Sequence, residues 1–207
     1  KYDQNDFEMI CNEVTDSNCL AIRVDDDRYS DWDSFAAYWK QAGSLITSAS
    51  GLGITSDDAT ADMLVANDLG VDVDIIASGG SGDNVTFLLN GTTDFLMGNV
   101  SEMVAAHNDG QFKILCVFAE ERDSNLPDVP TYEELTGNLV VGCSSRGYAM
   151  LKDVPDDIKQ ILGDAVKAAV QDPDLIEQLN AIYTTTDYKE GQEYVDYMNQ
   201  QQQQARE

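Results

Sequence analysis

The residues best suited to chemistry in this chain are small hydroxyls and glycines. Ser48, Ser50, Gly51, Gly53 and Thr55 lie in one run, Ser48-Ala49-Ser50-Gly51-Leu52-Gly53-Ile54-Thr55. Gly79 and Gly80 sit in a second run, Ser78-Gly79-Gly80-Ser81-Gly82, and Asn99 follows Gly98 in a third. Glycine reaches backbone angles closed to other residues. At the start of a helix, such a loop turns free N–H groups and hydroxyls toward one spot, where a carboxylate or phosphate can sit. Plain strand-to-helix turns share this composition and bind nothing, so the loop alone leaves both readings open.

Other chemistries lack their parts. Gly51-Leu52-Gly53-Ile54-Thr55-Ser56 fits Gly-x-Gly-x-x-Gly except at its last position, and Asp72 and Asp74 stand inside a strand where a ribose-binding acid should end one. A Walker loop needs a lysine after its glycines, and none follows. Nucleotide binding is therefore disfavoured. Gly79-Gly80-Ser81-Gly82-Asp83 fails as a nucleophile elbow at its last position. His107 is the only histidine, which counts against a Ser-His-Asp hydrolase. Cys11, Cys19, Cys116 and Cys143 contain no Cys-x-x-Cys, so zinc sites and Cys/His catalysis lack their ligands. Cys116 and Cys143 lie in apolar runs and read as buried thiols. Cys11 and Cys19 can pair if their segments form a hairpin. Asp25-Asp26-Asp27 misses the EF-hand spacing and reads as a solvated turn, with calcium binding the lesser alternative. No catalytic residue, metal ligand or cofactor is assigned.

The 207 residues suffice for one large domain or two small lobes. Hydrophobic residues make up 43% and charged ones 24%, an ordinary globular balance. The net charge of −26, from 12 basic and 38 acidic residues, is not ordinary. It argues against nucleic acid, whose phosphates need clustered Lys and Arg, and against an anionic membrane surface. It reads as a solvated acidic coat. No stretch approaches the roughly 20 apolar residues of a membrane span. The chain begins with Lys1 and shows no signal peptide, so a processed or trimmed N-terminus is expected.

The elements that must position the three loops alternate. Residues 7–14 read as a strand or crossing segment and 19–24 as a strand. Ser30 or Asp31 should cap a helix over 32–41, with Phe35, Ala36 and Trp39 on its apolar face. Leu45, Ile46 and Thr47 end a buried strand ahead of the first loop, and Thr55 or Ser56 caps the next helix with Asp57 and Asp58 in its first turn. Strands are expected at 71–77, 95–97, 112–119 and 139–143, with helices at 84–89, 100–108, 155–171, 173–182 and 189–204. His107, near the end of its helix, reads as a favourable C-terminal partner. The final glutamine run reads as a frayed helix end. This alternation implies an α/β layered sheet, largely parallel. In open α/β sheets ligands bind at the carboxyl ends of strands, and all three loops follow strands.

The segment Leu126-Pro127-Asp128-Val129-Pro130-Thr131, after Ala119 and Arg122, resembles the Leu-Pro-Asp-Val-Pro-Thr run of the tripartite tricarboxylate transporter receptors, the extracytoplasmic solute-binding proteins also called the Bug family. Other segments agree in order: Tyr2-Asp3 and Asp6-Phe7, Leu45 to Gly53, Gly79-Gly80 with Leu88 to Leu96, Gly110 to Leu115, Val154 to Ile158 and Asp172-Pro173. Ser144-Ser145-Arg146-Gly147-Tyr148 departs from the Trp or Tyr, then Gly, that the family often has there.

The resemblance implies a three-layer α/β/α lobe of the type II periplasmic-binding-protein kind, with a mixed, largely parallel sheet and C-terminal helices. It implies a second lobe over residues 1–138, and a returning strand and helices over 139–207 that pack on a first lobe, most of which this chain lacks. The implied function is capture of a small organic acid, a di- or tricarboxylate, for membrane permease subunits of a secondary transporter. That work is extracytoplasmic, in the periplasm or as a cell-surface lipoprotein, and is not enzymatic. The ligand-binding set expected is Ser48, Ser50, Gly51, Gly53, Thr55, Gly79, Gly80 and Asn99. The alternative is a Rossmann-like enzyme or ligand-sensing domain acting on a small anionic metabolite.

Overall fold

Strand β1 (Phe7–Arg23) organises the molecule, and over Cys19–Ile22 its side chains alternate between two apolar layers. A computed structural model describes residues 6–51 and 56–204. The chain divides into two units, Asp16–Ser144 and the residues up to Thr15 together with those from Ser145 on. β1 contributes to both.

In the Asp16–Ser144 unit, β1 lies between β4 (Leu96–Asn99) and β5 (Phe112–Val117), antiparallel to each. Asn18 pairs with Asn99, and Cys19 with Val117, with a register shift between Leu20 and Ala21. β2 (Ser44–Ser50) and β3 (Asp72–Ser78) run parallel from Ser44↔Asp72 to Ser50↔Ser78. The arrangement is a mixed α/β one, with parallel pairing at β2–β3 and antiparallel pairing around β1.

Both faces are covered, because successive side chains of a strand point to opposite sides. Leu20 and Ile22 join Phe35 and Trp39 of α1 (Trp32–Ala42) and Val65 of α2 (Asp57–Leu69). Cys19 and Ala21 join Leu88 of α3 (Ser81–Leu89) and Met103 and Val104 of α4 (Val100–Asn108). The helices begin where their caps dictate. Asp31 and Ser34 form a capping box on α1, and Ser56 Oγ accepts the Ala59 N–H at 3.2 Å at the start of α2. A further short helix, α5 (Tyr132–Thr136), follows the Pro-Asp-Val-Pro-Thr run, capped by Thr131 and Glu134. His107 ties α4 to β5, because its Nδ1 accepts the Ile114 N–H at 3.2 Å.

The other unit carries the first part of β1, β6 (Cys143–Leu151), α6 (Asp156–Val170), α7 (Pro173–Ala181), β7 (Thr186–Glu190) and α8 (Gly191–Gln204). β7 pairs antiparallel with β1 from Cys11↔Glu190. The core here is small: Ile10, Cys11 and Val170, with Met150, Val166 and Tyr188 against it. Ile158, Ile161 and Leu162 of α6 remain exposed.

Three local expectations are corrected. The strand expected at 139–143 begins instead at Cys143, and residues 139–142 are irregular. Gly142 is the cause: its N–H donates to Phe118 O at 3.0 Å and its carbonyl accepts from Asn18 at 2.8 Å. A Cβ there would stand 2.7 Å from Asn18 Oδ1. The helix expected at 189–204 begins instead at Gly191, because Lys189 and Glu190 close the polar strand β7 that pairs with β1. Cys11 and Cys19 are free and lie eight residues apart on the single strand β1, where an extended rise of about 3.3 Å per residue holds their Cα atoms past bridging distance.

Candidate functional site

Parallel pairing brings the ends of β2 and β3 together, with Ser50 opposite Ser78. Gly51 N–H donates to Ser78 O at 3.2 Å, and Ser78 Oγ donates to Ala49 O at 3.2 Å. Gly51 has φ +72°, in the left-handed region that favours glycine. Asn84, in the first turn of α3, donates from Nδ2 to Ser50 Oγ at 3.3 Å. The first two loops are therefore neighbours. The third joins them through α2: Asn99 Nδ2 donates to Asp57 Oδ2 at 3.4 Å and to Asp16 O at 3.0 Å.

The individual residues differ in what they offer. Ser48 is fully buried, and its hydroxyl has no hydrogen-bond partner among the described residues. Ser50 and Gly51 lie at the open end of β2. Gly79 N–H is taken by Asp83 Oδ2 at 3.0 Å, and Gly80 is the N-cap of α3. Gly53 and Thr55 lie outside the described residues.

Residues beyond the expected set complete the edge. Asn18 is fully buried in β1, and its Nδ2 donates to Asp57 Oδ2 and to Asp58 Oδ1, each at 3.3 Å. Asp58 also accepts the Ser50 backbone N–H. Burial, and then the carboxylates of Asp57 and Glu102, push the Asp58 carboxyl up to about 7. One turn on, Asp62 is fully buried, and burial followed by Asp58 pushes it well above the carboxylate range. Asn18 was legible as a polar residue inside an apolar strand, and Asp57-Asp58 as a pair of acids opening a helix. Neither signal said that they meet.

This edge can hold a small polar solute against backbone and side-chain amides. Among the described residues no group of three or more His, Cys, Asp or Glu is arranged to hold a metal ion.

Open α/β sheets bind ligands outside the carboxyl ends of their strands, where these loops lie. The chain belongs to the tripartite tricarboxylate transporter family receptors, whose family model matches residues 1–207. It is similar to a TctC solute-binding protein from Polaromonas, solved without ligand, at 26% identity and a TM-score of 0.78, covering 97% of this chain and 68% of that one. It is also similar to MatC from Rhodopseudomonas palustris, solved with bound malate, at 25% identity and a TM-score of 0.73, covering 86% of this chain and 60% of that one. A relative from Agrobacterium vitis, described as a UPF0065 protein in the TAR-I ttuE-ttuC′ intergenic region, is 28% identical over 154 residues, 73% of this chain. The chain spans 43% of that relative's length.

Proposed function

We propose that this protein is an extracytoplasmic receptor that captures a small organic carboxylate for a tripartite tricarboxylate-type secondary transporter and hands it to the membrane permease subunits. The observation that carries the reading is the meeting of the Ser48–Gly51 and Ser78–Gly80 loops, with Asn99 joined through α2, at one edge of an α/β unit of this family. The malate bound to a relative at 25% identity supports the solute class. No described helix is long and apolar enough to cross a membrane, and the receptor role asks for none.

We read residues 1–138 as the second lobe, and 139–207 as the returning strand and helices that pack on a first lobe. The exposed Ile158, Ile161 and Leu162 of α6 support this, because an apolar helix face is normally covered. The site is read as Ser48, Ser50, Gly51, Gly53, Thr55, Gly79, Gly80 and Asn99. Calorimetry with malate, succinate and citrate tests the function. Affinity should fall about tenfold or more in Gly51→Val, since a branched side chain does not tolerate φ +72°. Unchanged affinity in both Gly51→Val and Ser50→Ala would remove this loop from the site.

A further inference from the structure

We propose that the small cavity among the first turns of α2, α3 and α4 binds a hard metal cation, of the sodium or calcium kind, through the oxygens of Asp58, Ser81, Asn84 and Glu102. This goes beyond the receptor reading, and the site needs no solute.

Asn84 has an acceptor to spare. It is 2% exposed, its Nδ2 donates to Ser50 Oγ at 3.3 Å, and its Oδ1 has no partner among the described residues. Buried side-chain oxygens in folded proteins are normally partnered, so this one points to a bound group. Asn84 lines a cavity of ≈ 10 Å³ with Asp58, Ser81 and Glu102, and Leu96 and Met97 are among its apolar lining. That is room for one water-sized group.

The polar lining consists of oxygen ligands: two carboxylates, an amide and a hydroxyl. A carboxylate offers about four lone-pair sites. Asp58 spends part of that capacity on Asn18 Nδ2, at 3.3 Å, and on the Ser50 N–H. No histidine or cysteine lines the cavity, so the ligands that select most transition metals are not there. Carboxylate, carbonyl and hydroxyl oxygens suit hard cations.

Charge separates a cation from a water. A water satisfies Asn84 but leaves Asp58 facing other acids. The groups that act on Asp58 are Asp57, Glu102 and the Ser50 N–H, and none of them is a cation. The N-termini of α2 and α4 offset part of the charge, yet burial, with those two acids, still holds the Asp58 carboxyl up at about 7. A bound cation offsets the rest, in an apolar setting where Coulomb attraction is strong.

A proton and a metal ion compete for Asp58, so the cation is admitted above about pH 7 and displaced below it. The other titratable groups around Asp58 are Asp57 and Asp62 on α2, Glu102 on α4, and Asp16 and Cys19 on β1. Asp83 on α3 is held by the Gly79 N–H, and β4 carries no titratable group.

The test is thermal unfolding of the protein without solute, at pH 8 and pH 5, in sodium, calcium or magnesium chloride against choline chloride at equal ionic strength. At pH 8 the midpoint should stand about 3 °C or more higher in at least one metal salt than in choline, and should climb with the logarithm of its concentration. The sodium and calcium arms tell the two charge classes apart. At pH 5 the difference should vanish. Asp58→Asn and Asn84→Leu should each abolish it at pH 8, and Asn84→Asp, which keeps an oxygen ligand, should retain it. Asp72→Asn/Asp74→Asn, which removes two exposed acids of β3, should also retain it. Equal midpoints in choline and in every metal salt overturn the proposal and leave the cavity to a water. A metal effect that survives Asp58→Asn, or that Asp72→Asn/Asp74→Asn removes, overturns it in favour of screening of the acidic surface.

Discussion

Two aspartates in the Asp16–Ser144 unit, Asp26 and Asp58, are buried to a similar degree and titrate in opposite directions. Asp26 is 9% exposed and Asp58 6%. Hydrogen bonds from Arg28, with the charges of Arg28 and Arg23 behind them, hold Asp26 down to about 2. Asp58 has amide donors but, among the described residues, no cation, and burial beside Asp57 and Glu102 pushes it up to about 7. Burial alone therefore does not decide whether a carboxylate stabilises the fold; the partner does. The Asp26 end is a structural clamp, in which Arg28 Nη2 reaches Asp26 Oδ2 at 2.7 Å, its Nη1 reaches Asp94 Oδ1 at 2.6 Å, and its guanidinium lies 5.0 Å from the centre of the Tyr29 ring. The Asp58 end is left without such a clamp among the described residues.

Breaking the clamp should have the largest effect. Arg28→Met keeps the apolar stem but leaves Asp26 with Arg23 alone, and should cost about 3 kcal/mol in urea unfolding at pH 7, as loss of one partner of a buried pair does. In the wild type the Asp26 contribution is present above the unfolded carboxylate value near 4 and is lost as pH falls toward about 2. A variant within about 0.5 kcal/mol of wild type would show that Arg23 suffices and would remove Arg28 from the contrast.

Removing the charge at the other end should do the opposite. The folded Asp58 titrates near 7, above its unfolded value, so the native state binds the extra proton. Its protonated form costs little, and the penalty grows as pH rises through the interval between the two values and is complete above about 7. Asp58→Asn should therefore match wild type near pH 4 and be more stable by about 2 kcal/mol at pH 8, measured by urea unfolding across that range. A difference that does not vary with pH would mean that Asp58 is not the titrating group.

Much of the fold was readable because local signals and tertiary structure agree. Asp31 and Ser56 cap where their side chains predict, and Leu20 to Ile22 alternate as a strand with both faces covered must. Where the reading failed, the deciding contact is distant in sequence. Leu139-Val140-Val141 looks like a strand, but Gly142 threads between Asn18 and Phe118 and delays the pairing to Cys143. β7 is specified by Cys11 to Val14, more than 170 residues away. The glycine and serine loops were legible as turns at strand ends because turn chemistry is local. The acids that meet them were not, because the approach of Asn18, Asp57 and Asn99 depends on β1, α2 and β4 packing together.

An exposed pair completes the contrast and should show the smallest effect. Arg122 and Glu134 form a 2.8 Å ion pair with both side chains more than two-fifths exposed, 43% and 46%. Arg122 lowers the Glu134 carboxyl below its usual range, the same direction that Arg28 imposes on Asp26. Water and salt screen such a pair, and two long side chains lose freedom to hold it. Glu134→Gln separates the charge from the cap, because the amide oxygen can still accept the Thr131 N–H that Glu134 Oε2 accepts at 2.8 Å. The midpoint of thermal unfolding should stay within experimental error of wild type at low and at high salt. A clear fall that salt abolishes would show that an exposed ion pair in this strongly acidic chain stabilises as the buried clamp does, and burial would lose its place in the argument.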